Sequence, residues 1–171
     1  MDIVEEGRLP PVATLYHLTR LETVPSIKTN GLQPSYSQAP THYPRAIYLS
    51  GDMTHAGAFA GAFHKASPAA GYVLLTVNVA DLDPQLLGAD DADLEKVLAD
   101  RGGRREWTGV SWRESIRLCG QCTYRGWIKR EAIEVLACMV VGEPWKNVSQ
   151  PLSAWTPPNP NDLHTDKPEV L

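Results

Sequence analysis

Residues 72–79 restrict the fold of this chain more than any other segment. Val73, Leu75, Val77 and Val79 alternate with other residues, which is the period of a β-strand with one apolar face. Such a strand needs hydrogen-bonding neighbours for its backbone and a covering layer for its apolar side chains. We therefore predict a protein built on a central sheet.

Shorter elements of alternating type surround this strand. We expect strands at residues 15–19, 46–50, 116–124 and 132–141, and helices after Thr19, after Ser50 or Asp52, and at residues 90–100. Thr19-x-x-Glu22 has the form of a capping box, and Asn30-Gly31 that of a helix end. The sequence therefore predicts an α+β domain with a mixed sheet and a few short helices.

Composition narrows the class of protein. The 171 residues fit one domain, and a net charge of −4 argues against a general polyanion binder. No apolar run is long enough for a membrane span, and the first six residues, Met-Asp-Ile-Val-Glu-Glu, have neither region of a secretory signal. Three cysteines suit a reducing compartment. We expect a cytoplasmic protein without a membrane partner.

Prolines mark the C-terminal segment. The last 28 residues contain six of them, and such a segment is a poor strand or helix. We expect a folded domain over residues 1–145 and a proline-rich extended tail over residues 146–171, with Trp155 able to pack back onto the domain.

Two residues on predicted strands point to a ligand site. His17 and Thr19 share one face of the first strand, although a histidine there is by itself more often structural than functional. Tyr48 lies on the second strand, flanked on its own face by Ala46 and Ser50. A tyrosine among small residues is a platform on which a flat ring can stack.

A longer pattern joins these two strands. Residues 15–32 hold Leu-Tyr-His-Leu-Thr followed by Val24, Ile27, Gly31 and Leu32, and residues 47–50 read Ile-Tyr-Leu-Ser before an alanine-rich helix. In this order the segments resemble the NAD-binding half of the ADP-ribosyltransferases, in the branch named for a His, Tyr, Glu triad. That branch includes diphtheria-type toxins and poly-ADP-ribose polymerases, and DNA-modifying toxins and tRNA 2′-phosphotransferases share its opening. The likeness spans about residues 15–141.

The resemblance implies a fold, a substrate and a set of site residues. The fold would be a mainly antiparallel split sheet with short helices, and the substrate would be NAD. His17 would hydrogen-bond the adenosine ribose, and Tyr48 would stack on the nicotinamide ring. Further contacts to NAD would come from Thr19, Arg45, Ser50 and Tyr124.

The third member of the triad is the main departure from the family. The matching segment, residues 120–128, offers Gln121 where the family has a glutamate. A carboxylate there stabilises the oxocarbenium-like cation that forms as the nicotinamide–ribose bond breaks. A glutamine keeps only a hydrogen bond, and loss of one such group costs about 10²–10³ in rate.

Three interpretations of Gln121 stay open. The glutamine is native, or the chain is a deliberately inactivated Glu→Gln variant of a toxic enzyme, or Glu114 supplies the carboxylate. Glu114 lies seven residues earlier, which puts it on the opposite face of one continuous strand unless a bulge or turn intervenes near Gly120. We favour Gln121 at the catalytic position and hold Glu114 in reserve.

Residues 119–122 form a CxxC motif. Zinc requires about four ligands, and position 138 holds the only other cysteine. A redox CxxC normally opens a helix, whereas these residues lie in a predicted strand, so we expect buried strand cysteines and no metal. Acidic residues that begin the 90–100 helix need no metal either: Asp90, Asp91 and Asp93.

Arginines and tryptophans cluster around this motif. The arginines form either a solvated loop or a patch facing a phosphate-bearing ligand: Arg101, Arg104, Arg105, Arg113 and Arg117, with Arg125, Lys129 and Arg130 beyond. Trp107, Trp112 and Trp127 either pack in the core or stack on a base. We place the acceptor-binding loop at residues 100–117.

The sequence therefore predicts a NAD-dependent mono-ADP-ribosyltransferase that acts on a macromolecular acceptor, nucleic acid or protein. A bacterial or phage toxin or effector is the expected role, acting in the cytoplasm or delivered into that of a target cell, with an antitoxin or immunity protein as a candidate partner. One alternative is a catalytically weak module that binds NAD, ADP-ribose or nucleic acid. The other is a 2′-phosphotransferase-like enzyme, for whose additional N-terminal lobe the 14 residues before Leu15 are too few.

Overall fold

The computed structural model describes residue 9 and residues 11–34, 45–100 and 109–159, apart from the side chains of residues 98 and 100. Its helices are α1 (Val24–Asn30), α2 (Met53–Ala66), α3 (Asp91–Asp100) and α4 (Trp112–Cys119). Its strands are β1 (Thr14–Arg20), β2 (Ile47–Ser50), β3 (Gly71–Asn78), β4 (Leu87–Ala89), β5 (Gln121–Tyr124), β6 (Ile133–Val140) and β7 (Lys146–Pro151).

The described strands form one open sheet in the order β4-β5-β2-β1-β3-β6-β7. Every described pairing is antiparallel. The α+β class is therefore confirmed, and the expectation of a mixed sheet is wrong. Helices between strands do not require parallel neighbours, because a connection that contains a helix can also reverse the chain.

The strand β3, which lies inside the sheet between β1 and β6, is covered on both faces. Val73, Leu75 and Val77 lie in the main core, as their alternation predicts. Tyr72 and Leu74 pack on the opposite face against the alanine side of α2. A strand covered on both faces has almost no polar positions, which explains why residues 72–79 carry the strongest signal in the sequence.

Local signals place two of the helix ends correctly. Asp52 Oδ1 accepts a hydrogen bond from the His55 amide at 2.7 Å and begins α2. Gly31, with φ +72°, ends α1, a conformation that glycine adopts at little cost. The capping box predicted at Thr19 does not form, because Thr19 is still in β1 and a 3₁₀ turn at Leu21–Thr23 precedes α1.

The strand predicted over residues 116–124 is wrong in its first half, which is helical. Ser111 Oγ accepts a hydrogen bond from the Glu114 amide at 3.1 Å and begins α4. Gly120, with φ +82°, ends the helix in the left-handed conformation, and only then does β5 begin. Ser111-x-x-Glu114 is itself a capping-box pattern, so a local signal for this helix exists.

The segment after residue 145 does not begin as a free tail. Lys146–Pro151 forms β7 on the edge of the sheet, paired with β6. The strand tolerates Pro151 because the proline stands at its end on an outer strand, where a missing amide costs little. Leu152 and Trp155 are buried in the main core. Residues 146–152 and Trp155 therefore pack on the sheet edge and the main core, and residues 160–171 lie outside the described part.

Candidate functional site

A cleft opens where β1 and β2 separate. These strands share a single register pair, Tyr16 opposite Ser50, whereas β1 and β3 pair along the whole of β1. The cleft encloses about 820 Å³, within the range of small-molecule sites. It is walled by β1, β2, α1, α2 and the beginnings of α3 and β5, and His17, Tyr48 and Gln121 all line it.

His17 is fixed across the gap between the two strands. Its Nδ1 lies 2.9 Å from the main-chain oxygen of Tyr48. A carbonyl only accepts, so Nδ1 carries the hydrogen and Nε2 is the acceptor of the neutral ring. Burial lowers the pKa of His17, and the hydrogen bond to Tyr48 opposes this only in part. The ring is therefore neutral at pH 7 and offers one acceptor nitrogen.

Tyr48, Ser50 and Gln121 are brought together by strand pairing. In β2 and β5, Ser50 lies opposite Gln121 and Tyr48 opposite Thr123. Directly opposed residues project from the same face of a sheet, and Ser50 and Gln121 are both buried in the cleft wall. Gln121 is thus the first residue of β5, which pairs with the strand that carries Tyr48.

Glu114 occupies a different place. It is 1% exposed on α4 and is not among the residues that line the cleft. Its carboxylate accepts hydrogen bonds from Arg117 Nε at 2.9 Å and from Arg117 Nη2. The helix and the turn at Gly120 remove the objection that one continuous strand raised, but they do not bring Glu114 to the cleft.

The remaining predicted contacts to NAD divide into two groups. Thr19 and Ser50 line the cleft. Arg45 is exposed and Tyr124 is buried in the main core, and neither is among the lining residues. The Tyr124 hydroxyl accepts from the amide of Asp83 at 3.3 Å, so this tyrosine orders the segment before β4.

Asp90 is a cleft residue that sequence reasoning missed as a functional candidate. It is 2% exposed, lines the cleft and, as expected, begins α3, since its Oδ1 accepts from the Asp93 amide at 3.1 Å. Burial raises the pKa of Asp90 to about 6. Its position depends on β4, a three-residue strand that the sequence analysis did not predict, so no local signal places this carboxyl in the cleft.

The CxxC motif straddles a helix end and a strand. Cys119 is the last residue of α4, and Cys122 lies inside β5, so the prediction that both lie in a strand is wrong for Cys119. Burial raises the pKa of both thiols, which opposes the thiolate that redox chemistry needs. Among the described residues no group of three or more metal-ligating side chains is present.

The arginine and tryptophan cluster is only partly described, since residues 101–108, including Trp107, lie outside the described part. Arg113 donates to the Leu9 carbonyl at 2.6 Å, and Trp112 packs against the main core. Trp127 is 61% exposed, and its Nε1 donates to the carbonyl of Asn30, a residue of the cleft rim. Two of the three tryptophans proposed to stack on a base are described, Trp112 and Trp127, and of these two Trp127 is the exposed one.

Comparison of the sequence with protein-family models finds no matching family, and comparison with curated proteins finds no significant relative. Within the described ranges, no helix combines the length and apolarity needed to cross a membrane.

Proposed function

We propose that this chain is a NAD-dependent mono-ADP-ribosyltransferase that transfers ADP-ribose to a macromolecular acceptor. The observation that carries the proposal is the cleft between β1 and β2, in which His17, Tyr48 and Gln121 lie together. These are the positions that the resemblance to the His, Tyr, Glu branch assigns to NAD. The single register pair between β1 and β2 is also what a split sheet requires.

The side chains offer NAD complementary chemistry. Neutral His17 has one acceptor nitrogen for a ribose hydroxyl. The hydrogen bond from Nδ1 to the main-chain oxygen of Tyr48 fixes the orientation of the ring. Tyr48 offers an aromatic face for the nicotinamide ring. Thr19 and Ser50 add hydroxyl groups to the same wall. A dinucleotide is a suitable occupant for a cleft of about 820 Å³.

The acceptor is a nucleic acid or a protein. Trp127 at the rim supports a nucleic acid, because an exposed, hydrogen-bonded indole can stack on an unpaired base. A toxin or effector acting in the cytoplasm, held in check by an antitoxin or immunity protein, fits such an activity.

The test is the release of nicotinamide from NAD. Wild-type protein is expected to release nicotinamide and to bind NAD, and His17→Ala is expected to lose both. Tyr48→Phe keeps the ring and is expected to bind NAD as wild type does, while Tyr48→Ala binds it more weakly. Ser153→Ala is the control, because Ser153 is exposed and is not among the cleft-lining residues. Absence of both NAD binding and nicotinamide release in the wild type would show the proposal to be wrong.

Gln121 supports a second candidate, a module that binds NAD or ADP-ribose without cleaving it. This candidate predicts binding that depends on His17 but no nicotinamide release by the wild type. The same two measurements therefore separate the two candidates.

A further inference from the structure

A buried carboxyl group lies beside Gln121 in the wall of the cleft. The last described pair of β4 and β5 is Ala89 opposite Cys122. Because the strands are antiparallel, Asp90, which follows Ala89, comes beside Gln121, which precedes Cys122. Regular pairing has ended at this point, since β4 stops at Ala89. Both residues are buried and both line the cleft.

One serine fixes Asp90 and Gln121 together. The amide of Asp90 donates to Ser115 Oγ at 2.9 Å, and Ser115 Oγ donates to the carbonyl of Gln121 at 2.7 Å. Ser115 is fully buried on α4. With Asp90 Oδ1 also held by the Asp93 amide, the backbone of Asp90 is positioned by α4 and one of its carboxylate oxygens by α3.

We propose that Asp90 supplies the catalytic carboxylate of the cleft, in place of the glutamate that Gln121 replaces. This inference depends on the proposed function and adds to it the residue that carries the negative charge. Gln121 then acts as a hydrogen-bonding residue toward the same sugar. The enzyme would be active as it stands, with the carboxylate contributed by the neighbouring strand.

The reaction assigns Asp90 two tasks. The bond between ribose C1′ and the nicotinamide nitrogen breaks, its electron pair leaves with nicotinamide, and C1′ gains positive charge. The ionised carboxylate stabilises that charge. The acceptor hydroxyl or amine, or water in its absence, then bonds to C1′, and its proton passes to Asp90 and from there to solvent.

The surroundings of Asp90 suit both tasks. On α3 its charged neighbours are Asp93, which opposes ionisation, and Lys96, which favours it. Toward α4 and β5 it faces Ser115, Gln121 and the thiols of Cys119 and Cys122, which burial keeps protonated. Across the cleft His17 is neutral. With a pKa of about 6, the group is ionised at pH 7.5 and still basic enough to accept a proton.

The experiment compares Asp90→Asn with Asp91→Asn in nicotinamide release from NAD. Asparagine also caps helices, so Asp90→Asn keeps α3. The control variant Asp91→Asn removes the same charge from an exposed position outside the cleft lining. We expect Asp90→Asn to lose about 10²–10³ in kcat and Asp91→Asn to match the wild type. The double variant Asp90→Asn/Gln121→Glu is expected to recover much of the loss, since a carboxylate returns to the adjacent position.

A pH–rate profile and a comparison of NAD with NADH binding test the role of Asp90 further. The wild-type rate is expected to rise as pH passes about 6, and this rise should disappear in Asp90→Asn. Because oxidised NAD carries a positive nicotinamide ring and NADH does not, Asp90→Asn should weaken binding of oxidised NAD more than binding of NADH. Wild-type activity that Asp90→Asn fully retains overturns the role of Asp90 and leaves the proposed function intact. A wild type that neither binds nor cleaves NAD overturns both.

Discussion

The imidazole of His17 donates from Nδ1 to the main-chain oxygen of Tyr48 at 2.9 Å, across the gap in which β1 and β2 separate. The contact joins the two residues that the sequence singles out, although 30 residues lie between them. It also ties the charge state of His17 to the geometry of the cleft, because a protonated ring would have to place a second N–H in a partly buried position.

His17 gives the first prediction, on the pH dependence of stability. Its pKa is lower in the folded chain than the ordinary 6.5, so the unfolded chain binds the proton more readily. The free energy of unfolding therefore falls as pH drops below the unfolded pKa. In His17→Asn, whose amide can still donate to Tyr48, this contribution is absent. Denaturant titrations at pH 7.5 and pH 5 should show a larger loss for the wild type, and equal losses would contradict the prediction.

Asp90 gives a second prediction, of the opposite sign. Its pKa is raised from 3.8 to about 6, so its contribution to stability is present below pH 3.8 and is lost as pH rises through about 6. Keeping this carboxyl ionised costs on the order of 3 kcal/mol. Asp90→Asn should therefore be more stable than wild type at pH 8, with the difference shrinking toward pH 4. Denaturant unfolding at both pH values measures it, and a less stable variant at pH 8 would refute the prediction.

A third prediction separates the structural role of Glu114 from a catalytic one. Arg117 donates hydrogen bonds to this buried carboxylate and is itself 41% exposed. Arg117→Ala should cost about 2 kcal/mol, less than the loss from a fully buried pair because the arginine is partly solvated. Glu114→Gln should lower the free energy of unfolding by less, because it leaves no unpaired buried charge and the remaining Arg117 is partly solvated.

We also expect Glu114→Gln to release nicotinamide from NAD at the wild-type rate, because Glu114 does not line the cleft. A Glu114→Gln variant that unfolds like wild type but loses activity would restore Glu114 as the source of the carboxylate. Thermal melts and the nicotinamide assay on the same sample decide between these outcomes.

Leu152 gives a fourth prediction, on the extent of the folded domain. Its side chain is fully buried in the main core beyond β7. Leu152→Ala should cost about 2–5 kcal/mol, the range for truncating a buried leucine. Ser153→Ala, at the exposed neighbouring position, should leave the free energy of unfolding unchanged within about 0.5 kcal/mol. Similar unfolding midpoints for the two variants would mean that the domain does end near residue 145.

The elements whose signals are local could be predicted from the residues alone. The alternation of Val73, Leu75 and Val77 identifies β3, since burial of a strand face imposes a period of two. Asp52 and Gly31 mark helix ends, since a capping oxygen and a left-handed glycine act within one turn. The positions of His17 and Tyr48 on β1 and β2 follow from the same kind of signal. The function assigned to them stays a prediction.

Which distant segments pair depends on the packing of the whole chain. The strands β4 and β7 lie at the two edges of the sheet and are stabilised by pairing with β5 and β6. The residues of β4 and β7 alone do not indicate that these partners are adjacent. The first half of residues 116–124 folds as α4 because capping at Ser111 and the turn at Gly120 outweigh its strand-like composition. Asp90 reaches the cleft only because β4 pairs with β5. A carboxyl at a helix start looks the same in sequence whether it faces solvent or a cleft, because its burial depends on residues far along the chain.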